Sequence, residues 1–145
     1  MARLPVVFFI HGGGFTVGSG HQMTLDTISL SNIYGGEFLA LRDVVVVNFN
    51  YRLGVWGWLY CNTSDCPGNM GYWDQAMALN WTRNNIHMFG GDADQITLFG
   101  ESAGSIAISN HMVSNVTRNW FKRAIMQSGI DNFHLAHFQP LFLND

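Results

Sequence analysis

The segment Leu4–Ile10 is apolar at every position, is rich in β-branched and aromatic residues, and ends on the glycine cluster His11-Gly12-Gly13-Gly14. A strand with one face in water alternates apolar and polar residues, so a run without alternation reads as a strand buried on both faces. Such strands belong to parallel sheets. Val44–Tyr51 repeats the signature. Between the two runs lies Gln22–Asp43, whose second half, Glu37–Arg42, consists of good helix formers. Parallel neighbours need a crossover of this kind, which gives strand, crossover, strand. Further along, Tyr72–Phe89 carries Trp73, Ala76, Met77, Leu79 and Ile86 at helical spacing, with Pro67-Gly68-Asn69 before it and Gly90-Gly91 after it. Gln95–Phe99 reads as a short strand, Ala103–Val113 as a second helix with Ile106, Ala107 and Ile108 inward, and Arg123–Gln127 as another short strand. Alternating strands and helices predict an α/β architecture with a mostly parallel central sheet flanked by helices. No repeat, low-complexity stretch or linker divides residues 1–145, so they are read as belonging to one domain.

Charge is scarce. Only 12% of the 145 residues are charged and 48% are hydrophobic, against roughly 25% charged in an average soluble domain. Too few groups remain to solvate a closed surface, and about four strands leave an apolar sheet edge open. Both point to an incomplete fold covered by other polypeptide, or to a truncated product that does not fold stably. A net charge of -3 without a Lys/Arg cluster excludes an electrostatic footprint for nucleic acid or an anionic membrane. No apolar run approaches the roughly 20 residues of a membrane span. Met1–Ile10 imitates the start of a signal peptide, but glycines stand where a cleavage site belongs, so the strand reading prevails and no signal peptide is visible. Cys61 and Cys66 are too few for a disulfide framework. Their spacing permits a local bridge in an oxidising compartment, and two free buried thiols are the alternative.

The chemistry concentrates at Gly100-Glu101-Ser102-Ala103-Gly104, a G-x-S-x-G between a predicted strand and a predicted helix. A sharp strand-to-helix turn needs small residues two positions either side of the serine, and it throws the hydroxyl out over the strand ends. The helix that follows aims its first amides at developing negative charge. His11-Gly12-Gly13-Gly14-Phe15 also follows a strand, and glycines let backbone N–H groups approach a substrate oxygen. The amides of Gly13, Gly14 and Ala103 can then converge as an oxyanion hole. A flexible turn or phosphate cradle is the bland alternative, but no G-x-x-x-x-G-K-[ST] is present.

These motifs occur together with Asn50-Tyr51-Arg52-Leu53-Gly54, Pro67-Gly68-Asn69-Met70-Gly71, Trp73-Asp74-Gln75, Phe89-Gly90-Gly91 and Arg123-Ala124-Ile125-Met126-Gln127-Ser128-Gly129. In this order and spacing the chain resembles the type-B carboxylesterase and cholinesterase family of α/β-hydrolases, from Leu4 to about Gly129. The resemblance implies a serine carboxylic-ester hydrolase with Ser102 as nucleophile, an oxyanion hole of Gly13, Gly14 and Ala103, and a buried structural ion pair between Arg52 and Asp74. It implies a partial α/β-hydrolase fold incomplete at both ends, completed by the remaining part of the same hydrolase domain, and an ester substrate, with no cofactor and no metal. Glu101 would lie near the base of the active-site gorge, where it either tunes the catalytic histidine or holds the elbow in shape.

A serine nucleophile needs a base and an orienting acid, which follow it in this fold. His111 is nine residues along the helix, about 13 Å away at 1.5 Å per residue, and His11, His21 and His87 read as shape or surface residues. His134 and His137 follow Asp131 in a tail that departs from the family pattern. No base is assigned, and the chain alone is expected to be nearly inactive. Of three sequons, Asn62 is the first choice for glycosylation and Asn115 the second, while Asn80 falls within a predicted helix. With the family's usual secretion, they suggest an extracellular parent protein. A catalytically silent cholinesterase-like adhesion domain is the rival from another class. Silent members usually lose the serine or the glycine loop, and both are intact here.

Overall fold

The computed structural model describes residues 3–25, 28–31 and 35–130, so the expectations for Asp131, His134 and His137 lie outside the described residues. In chain order its elements are β1 (Leu4–Ile10), the antiparallel pair β2 (Gln22–Leu25) and β3 (Ile28–Ser31), α1 (Glu37–Ala40), β4 (Val45–Asn48) and α2 (Gly54–Trp58). There follow a ribbon of β5 (Tyr60–Thr63) and β6 (Cys66–Pro67), α3 (Met70–Asn85) with a 3-10 turn at Ile86–Phe89, β7 (Gly91–Glu101), α4 (Ala103–Val113) and β8 (Arg123–Gln127). The main sheet has the order β4-β1-β7-β8, and every pairing in it is parallel. That order places β1 and β7, the strands leading into the two glycine motifs, side by side at its centre.

The core lies on one face of this sheet. Val6, Phe8 and Ile10 of β1 and Ile96 and Leu98 of β7 pack against Tyr72 and Leu79 of α3 and Ala107 and Ile108 of α4. Burying each large aliphatic side chain here contributes about 1.5–3 kcal/mol. Strand alternation sends Val7, Phe9, Val46 and Phe99 to the opposite face. There α1 covers only the margin: a Cβ on Gly36 would lie 2.5 Å from Val46 Cγ1. A cavity of about 290 Å³ opens among Val7, Phe9, Leu39, Phe99, Glu101 and Gln127. The described helices thus bury one face of the apolar strands fully and the other in part, short of the two-sided burial that the sequence predicts.

Several boundaries differ from the sequence reading. Strand β4 stops at Asn48 because the next residues turn to other partners: Asn50 Oδ1 accepts the Gly20 N–H at 2.8 Å, and the Tyr51 hydroxyl donates to the His11 carbonyl at 2.7 Å. Strand β7 begins at Gly91, ahead of the apolar signature, with Gly91 paired to Leu4 and a register irregularity before Val6. The long helix yields to 3-10 geometry at Ile86. Its buried face is also different. Trp73 and Met77 are 50% and 72% exposed, whereas Tyr72, Gln75, Ala76, Leu79 and Thr82 are buried. Two polar residues can sit inside because each finds a partner: Thr82 Oγ1 donates to the Ala78 carbonyl at 2.9 Å, and Gln75 Oε1 lies 2.9 Å from His111 Nε2. Among the described residues no helix is long and apolar enough to cross a membrane.

Candidate active site

Parallel pairing matches Ile10 of β1 with Gly100 of β7. Both chains then run on in the same direction, so Gly12 and Ser102 each stand two residues beyond a matched pair. They meet there: a Cβ on Gly12 would lie 3.1 Å from Ser102 Cβ and 2.7 Å from both the Glu101 carbonyl oxygen and Glu101 Oε2. Glu101 closes β7 with its carboxylate against this glycine, and its backbone is matched with Gln127 of β8.

Ser102 has φ 54° and ψ -121°, a conformation L-residues rarely adopt, and it precedes α4 without using its hydroxyl to cap the helix. Strain of this kind, of order 1–3 kcal/mol, persists only where the surroundings over-determine it. Here the Ser102 N–H donates to the Gln127 carbonyl at 2.8 Å, and its carbonyl accepts the Ile106 N–H at 3.0 Å. Gly129 presses on the same turn, since a Cβ there would lie 2.9 Å from the Ser102 oxygen. Ser105 Oγ holds that segment by donating to the Gly129 carbonyl. The flanking glycines are sterically required. A Cβ on Gly100 would come within 2.6 Å of the Gly104 carbonyl carbon, and one on Gly104 within 2.8 Å of the Ile10 carbonyl carbon and 2.9 Å of the His11 oxygen.

The loop after β1 is tied by its own carbonyls. Gly12 O accepts from His11 Nδ1 at 2.8 Å, and Gly13 O accepts from the Thr16 and Val17 amides at 3.1 Å each and from Thr16 Oγ1 at 3.3 Å. Gly13 and Gly14 have φ of +108° and +61°, values that favour glycine. Among the described residues the amides of Gly13, Gly14 and Ala103 donate to no acceptor, and the Ser102 hydroxyl has no hydrogen-bond partner.

His11 is fully buried and stacks on Tyr51, with ring centroids 4.3 Å apart. Desolvation lowers its pKa against the opposing pull of the Gly12 carbonyl. His111 is buried in α4, where desolvation lowers its pKa to about 4. Its Nδ1 lies 3.1 Å from Thr117 Oγ1 and its Nε2 2.9 Å from Gln75 Oε1. His21 and His87 are exposed. Among the described residues no group of three or more His, Cys, Asp or Glu could hold a metal ion.

Arg52 grips Asp74 with Nε–Oδ2 at 2.7 Å and Nη2–Oδ1 at 2.8 Å, and its backbone N–H adds a third bond at 3.0 Å. Partial burial would raise the Asp74 pKa, but these bonds and the guanidinium charge outweigh it and hold the carboxyl below its usual range. The expected burial of the pair is corrected here: the Arg52 side chain is 54% exposed, so water screens the pair and its role is geometric, joining the chain before α2 to α3. Cys61 and Cys66 form a disulfide with Cα atoms 5.2 Å apart across the β5–β6 ribbon. Asn62, Asn80 and Asn115 are all exposed.

A sequence profile of the carboxylesterase family matches residues 1–139. This chain belongs to the carboxylesterase family. It is 46% identical over 128 residues to acetylcholinesterase 1 of Caenorhabditis briggsae, covering 88% of this chain and 19% of that protein. It is 43% identical over 138 residues to juvenile hormone esterase of Heliothis virescens, covering 95% of this chain and 23% of that one. The solved structure of juvenile hormone esterase from Manduca sexta, with OTFP covalently attached, superposes with a TM-score of 0.78 at 41% identity, over 90% of this chain and 23% of that chain. The chain therefore spans about a fifth of the length of these relatives. Its parallel sheet and flanking helices are part of the carboxylesterase α/β-hydrolase fold. Tyr51 and Gly18 hold the turn at His11, and Ser105 and Gly129 hold the turn at Ser102, although no motif in the sequence assigns them these contacts. Tyr51 and Gly129 sit inside quoted motifs, but nothing local links Tyr51 to a histidine 40 residues earlier.

Proposed function

We propose that Ser102 is the nucleophile of a serine carboxylic-ester hydrolase and that the amides of Gly13, Gly14 and Ala103 bind the oxyanion. The observation that carries this reading is the meeting of a serine hydroxyl that has no hydrogen-bond partner among the described residues, in a rarely adopted backbone conformation, with the glycine loop against its Cβ. Ser102 Oγ attacks the ester carbonyl and its proton passes to a base. The tetrahedral oxyanion accepts the three amides, the alcohol leaves carrying the proton, and water then cleaves the acyl-serine to the acid and restores the hydroxyl. The reading takes neither His11 nor His111 as that base: both rings are buried away from solvent, His11 Nδ1 is held by Gly12, and His111 is held by Thr117 and Gln75. The reading assigns base and orienting acid to the rest of the hydrolase domain, of which residues 1–145 form a part, and expects these residues alone to be nearly inactive. Glu101 holds the elbow against the glycine loop. The covalently attached OTFP of the Manduca sexta esterase, a relative 41% identical to this chain, fits a reading in which catalysis passes through a covalent bond to the protein.

The disulfide and the exposed sequon asparagines Asn62 and Asn115 support a protein that matures in an oxidising, secretory compartment. The deciding experiment is fluorophosphonate labelling of the protein expressed from its complete coding sequence. Ser102→Ala abolishes labelling and ester hydrolysis. Equal labelling of the variant overturns the nucleophile assignment, and a folded wild type that takes no label returns the chain to the adhesion reading.

A further inference from the structure

We propose that His11 is a positioning residue for the oxyanion hole, an inference that rests on the esterase reading above. Its Nδ1 lies 2.8 Å from the Gly12 carbonyl, which can only accept, so Nδ1 carries the proton. In a trans peptide the C=O and the following N–H point in opposite directions. Holding the Gly12 oxygen on the ring therefore turns the Gly13 N–H away from it, to the side where an oxyanion can be met. The next peptide is set in the same manner. Thr16 and Val17 hold the Gly13 oxygen, which turns the Gly14 N–H outward. His11 is thus the first of two clamps that free consecutive amides.

The ring is held between Tyr51 and Gly18. Tyr51 stacks on it at 4.3 Å with an interplanar angle of 21°, and the Tyr51 hydroxyl holds the His11 carbonyl at 2.7 Å. Gly18, at φ +111°, closes over the clamp: a Cβ there would lie 2.7 Å from Gly12 O and 2.8 Å from His11 Nδ1. Nε2 is buried with no partner among the described residues. A buried orphan acceptor of that kind calls for an explanation. The bond made by Nδ1 supplies one, because an apolar ring of the same volume would fill the space with no orphan but would release the Gly12 carbonyl.

The test uses the protein expressed from its complete coding sequence, with 4-nitrophenyl acetate as the probe. His11→Phe keeps an aromatic ring to stack on Tyr51 but removes the donor. His11→Asn keeps an N–H at about the place of Nδ1 and gives up the ring. Positioning predicts that His11→Phe lowers kcat on the order of 10²-fold, like loss of an oxyanion donor, with KM within about twofold because the oxyanion exists only in the transition state. His11→Asn then recovers at least about tenfold of that loss. A merely structural role predicts the reverse order, since Phe fills the cavity better than Asn. Wild-type kcat in His11→Phe, or a lower kcat in His11→Asn than in His11→Phe, overturns the proposal. If His11→Phe does not fold, His11→Asn decides: kcat within about tenfold of wild type supports it, and a loss on the order of 10²-fold in a folded protein overturns it. Hydrolysis that survives Ser102→Ala sinks the esterase reading instead, so the two failures are distinguishable.

Discussion

Adding one methyl group at Gly104 tests whether the elbow geometry follows from close backbone approach. The new Cβ would lie 2.8 Å from the Ile10 carbonyl carbon, 2.9 Å from the His11 oxygen, and closer still to the Ile10 oxygen. Ordinary contact begins at 3.4 Å, so α4 and β1 must separate by about an ångström. Alanine would favour the helix by about 0.5–1 kcal/mol over glycine. Overpacking opposes it with about 1–3 kcal/mol, and the clash wins. The consequence for chemistry is larger, because β1 leads into Gly13 and Gly14 while α4 carries Ala103. Separating them by an ångström pulls the proposed oxyanion donors apart, and a misplacement of that size is associated with about a 10²-fold loss of rate. Gly104→Ala should therefore lower the rate of fluorophosphonate labelling by about 10²-fold and lower the urea midpoint, both measured on the full-length protein. Wild-type labelling at an unchanged midpoint would refute the packing argument and the convergence of amides built on it.

Two further perturbations probe the scaffold. The His111 pKa of about 4 lies below the ordinary histidine value of 6.5, so the native state favours the neutral ring and the unfolded chain binds the proton first. Stability from this group is complete above about pH 6.5 and is lost as pH falls to about 4, amounting to about 3 kcal/mol. Urea midpoints across that range should fall more steeply in the wild type than in His111→Gln, and equal slopes would remove His111 as the cause. Replacing both Cys61 and Cys66 by serine opens a loop of sequence separation 5 and should lower stability by about 2 kcal/mol in the chain-entropy account. An unchanged unfolding free energy would speak against the pairing.

What could be read from the sequence was what local rules govern. Apolar runs announced β1 and β4, the helix from Ala103 to Val113 was read to its ends, and Gly100 and Gly104 revealed the turn around Ser102 because crowding there leaves room only for hydrogen. Partners distant in sequence were not legible. Gln75 and Thr82 look like surface residues of α3, and only the contact of Gln75 with His111, 36 residues away, explains an inward glutamine. Trp73 and Met77 look like core residues, yet they face outward because the neighbouring row, Tyr72, Ala76 and Leu79, meets the sheet. Arg52 and Asp74 pair, but nothing in the motif tells how much water reaches the guanidinium. Helix α2 is only five residues long and the short β5–β6 ribbon is mostly exposed, so no apolar period marks them.

The pairing of Ile10 with Gly100 has a consequence for how such a protein can change length over time. Inserting one residue in β1 without one in β7 would advance one reacting group by about 3.3 Å past the other and turn every later side chain of that strand to the wrong face. Insertions and deletions should therefore be absent from residues 6–12 and 96–102 in working relatives, and should gather in outlying segments such as the β5–β6 ribbon, where extra length leaves the spacing of the two glycine turns untouched.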